Sequence, residues 1–184
     1  LLELKLKVDR KQDHTLLDAW KTKIEQLLGA HIVTQDDRSL AEVVVSLLAE
    51  RKLKVTFAES CTGGKISSMI TEVSGSSNVF EAGFVTYANH IKTSVVGVSD
   101  ETLKVHGAVS EAVVKQMLLG AIEASGADLG VSVSGVAGPS GGTDDKPVGT
   151  VWLAWGRKDN IHTHQFYFPG NRLFFQKIVS ALAL

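Results

Sequence analysis

Apolar and polar positions alternate at the start of the chain, with Leu2, Leu4, Leu6 and Val8 set against Glu3, Lys5 and Lys7. That is the period of a strand with one buried face. The period then lengthens. Leu16, Leu17, Trp20, Ile24, Leu27 and Leu28 fall on one face of a helix that Gly29 is placed to stop. His31 to Thr34 reads as another short strand. Residues 1–36 thus read as strand–helix–strand, too small to bury a core of its own. Beyond the polar hinge Asp36-Asp37-Arg38, Ser39 and Glu42 have the spacing of a capping box ahead of Leu40, Val43, Val44, Leu47 and Leu48. This helix opens the main domain, residues 37–184.

Strands and helices interleave from there. Leu53 to Ala58 is a short strand candidate, followed by a polar glycine loop and a helical stretch with Ile66, Met69 and Ile70. Phe80 to Tyr87 reads as a strand interrupted by Gly83. Ser99–Val105 and Ser110–Ala124 read as helices. Leu129 to Ser134 reads as a buried strand, and Val148–Trp155 with Ile161–Phe168 as an antiparallel pair around Gly156–Asn160. A last helix is expected near Asn171. The pattern predicts an α/β fold, a three-layer α/β/α sandwich whose sheet the final pair makes mixed.

Composition narrows the classes. The 184 residues are 44% apolar and 21% charged, ordinary globular usage, and the net charge of −1 lacks the basic excess of a nucleic-acid binder. No run approaches the roughly 18 apolar residues of a membrane span. The single cysteine, Cys61, rules out an intrachain disulfide and fits a cytoplasmic protein. The chain begins with Leu1 and ends on an apolar stretch, Ile178 to Leu184, which reads as a fragment of something longer.

Two loops rich in small and polar residues each follow a candidate strand, where open α/β sheets bind ligands. The first holds Ser60 and Cys61. The second runs from Gly135 to Thr150 and includes Gly138, Gly141, Gly142 and Thr143. Glycine loops are structural more often than functional. The second is no Walker loop, since Pro147 follows Lys146, and Ser60 lacks the flanking glycines of a hydrolase elbow. The six histidines are scattered, so no metal site is expected, and His162 and His164 read as exposed strand residues.

Five segments in order resemble the CinA C-terminal domain family, which includes the nicotinamide mononucleotide deamidases. The first, Ala58-Glu59-Ser60-Cys61-Thr62-Gly63-Gly64, is similar to the family's signature. Gly83 to Asn89, with Lys92 three residues on, resembles its second motif, and Ala108 to Glu111 a third. Ser134 to Trp152 is similar to the longest, and Gly170-Asn171-Arg172 to the last, with Asn171 where aspartate is common. Residues 1–36 resemble the end of the KH-like linker module that precedes this domain in longer CinA proteins.

The resemblance implies a homodimer that converts nicotinamide mononucleotide to nicotinate mononucleotide and ammonia, with no metal or cofactor. It implies Ser60 as nucleophile, Lys92 as base and Tyr87 close by. Those residue types suit the chemistry. A serine hydroxyl needs a neighbour to take its proton, and Lys92 could do so once desolvation depresses its basicity far below that of a free lysine. Tyr87 could donate or relay a proton. The amides of Cys61, Thr62 and Gly63 are candidate oxyanion donors. Asn89 and the loop holding Gly138, Gly141, Gly142 and Thr143 are candidate nucleotide contacts, with Arg172 for the phosphate. Lys65 is a poorer base, since helical spacing would set it about 140° from Ser60. Cys61 is a rival nucleophile. The rival function is a catalytically silent nucleotide-binding or regulatory domain.

Overall fold

A computed structural model describes residues 14–184. Helix α1 (His14–Leu28) ends in a 3₁₀ turn at Gly29–His31, and none of its residues is buried. Of the strand expected at His31–Thr34, His31 closes the 3₁₀ turn and Ile32 is extended, and the segment has no ladder partner among the described residues. The strand expected at residues 2–8 lies outside the described residues.

The main domain starts as its pattern predicts. Ser39 Oγ accepts from the Glu42 N–H, and the Glu42 carboxylate accepts from the Ser39 N–H, which fixes the start of α2 (Leu40–Glu50). After it come β1 (Val55–Glu59), α3 (Lys65–Thr71), β2 (Phe80–Val85), α4 (Asn89–Val96), α5 (Asp100–His106), α6 (Glu111–Ser125), β3 (Leu129–Gly135), β4 (Thr150–Arg157), β5 (Asn160–Tyr167) and α7 (Arg172–Leu182). The sheet order is β2-β1-β3-β4-β5. β1 runs parallel to both β2 and β3, while β4 and β5 join antiparallel.

Helices cover both faces. On one, α2, α3 and α7 pack Val45, Leu48, Ile66, Ile70, Phe175 and Val179 against Val55, Phe57, Val133, Val151 and Leu153. On the other, α4 and α6 bury Val96, Val113, Met117 and Ala121 against Ala58. Alternate residues of β1 therefore enter different cores, as the pleat requires. The arrangement is the predicted sandwich with a mixed sheet.

Two glycines let backbones approach closely. A Cβ on Gly120 in α6 would stand 1.9 Å from the Val96 carbonyl oxygen, so the α4–α6 contact needs glycine there. A Cβ on Gly83 in β2 would stand 2.2 Å from Ser67 Oγ. The interruption read in that strand is the room that α3 requires.

Candidate active site

The carboxyl ends of β1, β2 and β3 open on one cavity of about 200 Å³. Ser60 and Cys61 follow β1, Tyr87 follows β2, and Ser134, Gly135 and Ala137 belong to β3 and the loop beyond it. Asn89 and Lys92 reach it from α4, and Arg172 from the start of α7. Ala108 and Val109 complete the lining, held in place where Ser134 Oγ donates to the Ala108 carbonyl at 2.7 Å.

Lys92 is 1% exposed, and its Nζ lies 3.0 Å from Ser60 Oγ. The same nitrogen reaches the carbonyl oxygens of Thr86 at 2.8 Å and Tyr87 at 3.3 Å. No carboxylate compensates it among the described residues. Burial therefore pushes the lysine below its ordinary value. As an ammonium Lys92 donates to all three oxygens, Ser60 Oγ included; as a neutral amine, the form that burial favours, it donates to the two carbonyls and turns its lone pair to the Ser60 hydroxyl.

The Ser60 loop is anchored by a residue not singled out from the sequence. Glu59 is fully buried at the end of β1. Its Oε2 accepts from the Thr62 hydroxyl at 2.7 Å and from the N–H groups of Gly64 at 3.0 Å and Ile66 at 3.1 Å. Its Oε1 accepts from the Ser67 N–H at 2.8 Å and hydroxyl at 2.7 Å. The start of α3 is thereby capped by a carboxylate from the adjoining strand. A clue lay in the run itself: an acidic residue directly before Ser60, with Thr62 and Ser67 downstream as donors.

That cap changes the expected oxyanion site. The free N–H groups of α3 are taken by Glu59, and the Gly63 N–H closes a turn onto the Ser60 carbonyl at 3.2 Å. Of the three amides expected to act as donors, Gly63 is thus excluded. The Cys61 N–H lies beside its own sulfur and, like the Thr62 N–H, has no other acceptor among the described residues.

The remaining expected residues divide. Tyr87 lines the cavity, its hydroxyl accepts from Arg172 Nη2 at 2.9 Å, and its carbonyl is what touches Lys92. Arg172 Nη1 donates to the Gly138 carbonyl at 3.2 Å, which brings Gly138 to the edge of the site. Asn89 is exposed at the rim. Thr62, Gly63, Gly141, Gly142 and Thr143 do not line the cavity. Thr62 spends its hydroxyl on Glu59, and Thr143 pairs with Lys146 in a closed exposed turn. Lys65 is exposed, as expected. Cys61 is a poor nucleophile, because burial pushes its thiol up to about 12. His162 and His164 are exposed, and no cluster of metal-ligating side chains occurs among the described residues.

The fold and site define an α/β/α domain whose cavity opens at the ends of its parallel strands. Residues 37–184 match the model of the CinA C-terminal domain, and the chain belongs to that family. It is 49% identical to a CinA-like protein of Colwellia psychrerythraea, covering 100% of this chain and 43% of the relative. It is 51% identical to a CinA-like protein of Akkermansia muciniphila over 89% of this chain and 40% of that one. The chain therefore spans about two-fifths of the length of these curated relatives. The crystal structure of the competence/damage inducible protein CihA from Agrobacterium tumefaciens superposes with a TM-score of 0.76 at 41% identity, covering 78% of this chain and 88% of that one. Competence damage-inducible protein A of Klebsiella pneumoniae gives 0.76 at 37% identity, over 78% and 89%. Among the described residues no helix is long and apolar enough to cross a membrane.

Proposed function

We propose that this domain hydrolyses the carboxamide of nicotinamide mononucleotide to nicotinate mononucleotide and ammonia. The observation that carries the reading is the buried, uncompensated Lys92 with its Nζ 3.0 Å from Ser60 Oγ. A buried lysine held by two carbonyls is a costly element in a fold, and beside a serine it has a use.

The residues perform the steps as follows. Lys92 takes the Ser60 proton while Oγ attacks the carboxamide carbon, and the carbonyl oxygen becomes an oxyanion. Lys92 returns the proton to the departing nitrogen, which leaves as ammonia, and an ester to Ser60 remains. Lys92 then takes a proton from water, whose hydroxide attacks the ester; on collapse the Ser60 oxygen leaves and takes that proton back from Lys92, and the product acid loses its own proton to solvent as nicotinate. The cavity, about 200 Å³, is smaller than a typical pocket for a whole drug-sized ligand. It takes the reacting pyridine end, and the ribose phosphate extends toward Arg172. That guanidinium has no carboxylate partner among the described residues, and its partners Tyr87 and Gly138 leave it cationic at the cavity edge. With Glu59 filling the α3 N-terminus, the phosphate is directed to Arg172. Residues 1–36 are proposed as the end of a preceding module, and the active form as a homodimer.

Ammonia and nicotinate mononucleotide are followed on incubation with nicotinamide mononucleotide. Turnover is expected in the wild type and a loss of at least about 10³-fold in Ser60→Ala and Lys92→Met. Undiminished release by Ser60→Ala would overturn the assignment. Nucleotide binding without turnover in the wild type would support a silent regulatory domain instead.

A further inference from the structure

Gln176 lies one turn beyond Arg172 on α7, so both side chains leave the same helix face. Arg172 enters the cavity. Gln176 passes behind it, 9% exposed, and its Nε2 donates to the Cys61 carbonyl at 2.9 Å. This bond joins residues 115 positions apart and ties α7 to the loop that carries Ser60.

The Cys61 carbonyl is an unusual place to bring an amide. The residue lies between two peptide planes. In the first, the Ser60 carbonyl is held by the Gly63 N–H at 3.2 Å. In the second, the Cys61 carbonyl is held by Gln176. A trans peptide is planar, so fixing its carbonyl also fixes the direction of the N–H on the next residue. The Ser60 carbonyl thus sets the Cys61 N–H and the Gln176 bond sets the Thr62 N–H, so the two anchors clamp both planes flanking Cys61 and limit rotation about its own backbone bonds. Cys61 lines the cavity directly after the nucleophile, and its N–H has no acceptor other than its own sulfur among the described residues. Because Glu59 has already taken the α3 amides, few backbone donors remain near Ser60.

We propose that Gln176 is a positioning residue: by clamping the peptide plane after Cys61 it limits rotation of the Cys61 backbone, whose N–H is the donor that stabilises the oxyanion formed when Ser60 attacks a carbonyl-type substrate. The inference rests on the serine-nucleophile reading given above. It assigns Gln176 no contact with substrate. A donor in that position is worth most in the transition state, so its loss falls on kcat and leaves substrate binding nearly unchanged.

Two measurements separate this inference from the choice of substrate. The first is steady-state turnover of nicotinamide mononucleotide by the wild type, Gln176→Met and Ser180→Ala. Ser180 is a control for packing, since it is buried on the same helix and donates to the Gln176 backbone carbonyl. Gln176→Met is expected to lower kcat by roughly 10²-fold with KM within about threefold. Ser180→Ala is expected to stay within about threefold of wild type in both. The second is labelling of Ser60 by a fluorophosphonate, followed by intact mass, with Ser60→Ala as blank. This reaction also builds negative charge on oxygen beside the nucleophile, and it needs no nucleotide. Slower labelling in Gln176→Met, with normal labelling in Ser180→Ala, supports the positioning role even if nicotinamide mononucleotide is not turned over. Labelling of Gln176→Met at the wild-type rate overturns it, as does a wild-type Ser60 that does not label. Circular dichroism and thermal melting of each variant establish that it is folded, and Gln176→Leu replaces Gln176→Met if the latter melts early.

Discussion

Two loops of this molecule share a composition and differ in what holds them. Ser60 to Gly64 and Val136 to Gly149 both follow parallel strands and both are rich in glycine and hydroxyl residues. In the first, nearly every polar group is buried and tied to something distant: Glu59 to the α3 amides, Cys61 to α7, Ser60 to Lys92. In the second, residues 139–145 are exposed, Thr143 and Lys146 exchange two bonds and Val136 and Gly149 pin the loop ends, while the long-range ties sit at its flanks, Arg172 to the Gly138 carbonyl and Lys146 Nζ to the His106 carbonyl. Glycine content therefore marks where a chain turns. What marks a site is polar chemistry that the fold buries at a cost and then satisfies with long-range partners.

The comparison can be broken most forcefully at Glu59. Glu59→Ala would orphan three N–H groups and two hydroxyls at the start of α3, and a loss of about 3 kcal/mol or more is expected in urea unfolding. A loss below about 1 kcal/mol would mean that water replaces the carboxylate and that the loop is not anchored as described. Next in size is Gly120→Ala. The added methyl has no room against the Val96 carbonyl, so α4 must shift and carry Lys92 with it. About 1–3 kcal/mol of stability is expected to go, together with most of the turnover. The smallest effect is expected in the second loop. Thr143→Ala removes one exposed bond to the Lys146 N–H and is expected to change stability by less than about 1 kcal/mol and turnover by less than about threefold. A large loss of nucleotide affinity there would return the glycine loop to the binding site.

How far the sequence foretold this depends on which periodicity each residue kept. The capping box at Ser39 and the apolar runs of β1, β3 and α6 were legible because their side chains follow the burial pattern. Helix α4 was not predicted. Its buried positions are Lys92 and Val96, one turn apart, and a lysine in the inward slot conceals the apolar face. Glu59 was passed over because a lone charge at the end of an apolar strand has no partner visible in the sequence, and its five donors come from Thr62, Gly64, Ile66 and Ser67 only once α3 folds onto it. The family motifs pointed to Ser60, Tyr87 and Lys92, which the fold brings to one cavity, and the residue types within them to Arg172, which joins it. The same reasoning also picked out Thr62, Gly63, Gly141, Gly142 and Thr143, which do not line it. A motif marks residues that matter together without saying which touch the ligand and which hold the frame.

Lys92 carries the account, and its protonation is measurable without any substrate. Desolvation lowers the amine in the folded state, so between that value and the ordinary lysine value the unfolded chain binds the extra proton. Folding stability that Lys92 costs at lower pH is recovered as pH rises through this window. The most direct test follows the lysine Cε resonances of carbon-13-labelled protein from weakly acidic to strongly alkaline pH, with Lys92→Met to assign the signal. The account predicts one lysine that loses its proton well below the rest and is absent from the variant. A Lys92 that titrates together with the exposed lysines would contradict it, because an amine that stays charged has no lone pair to offer Ser60.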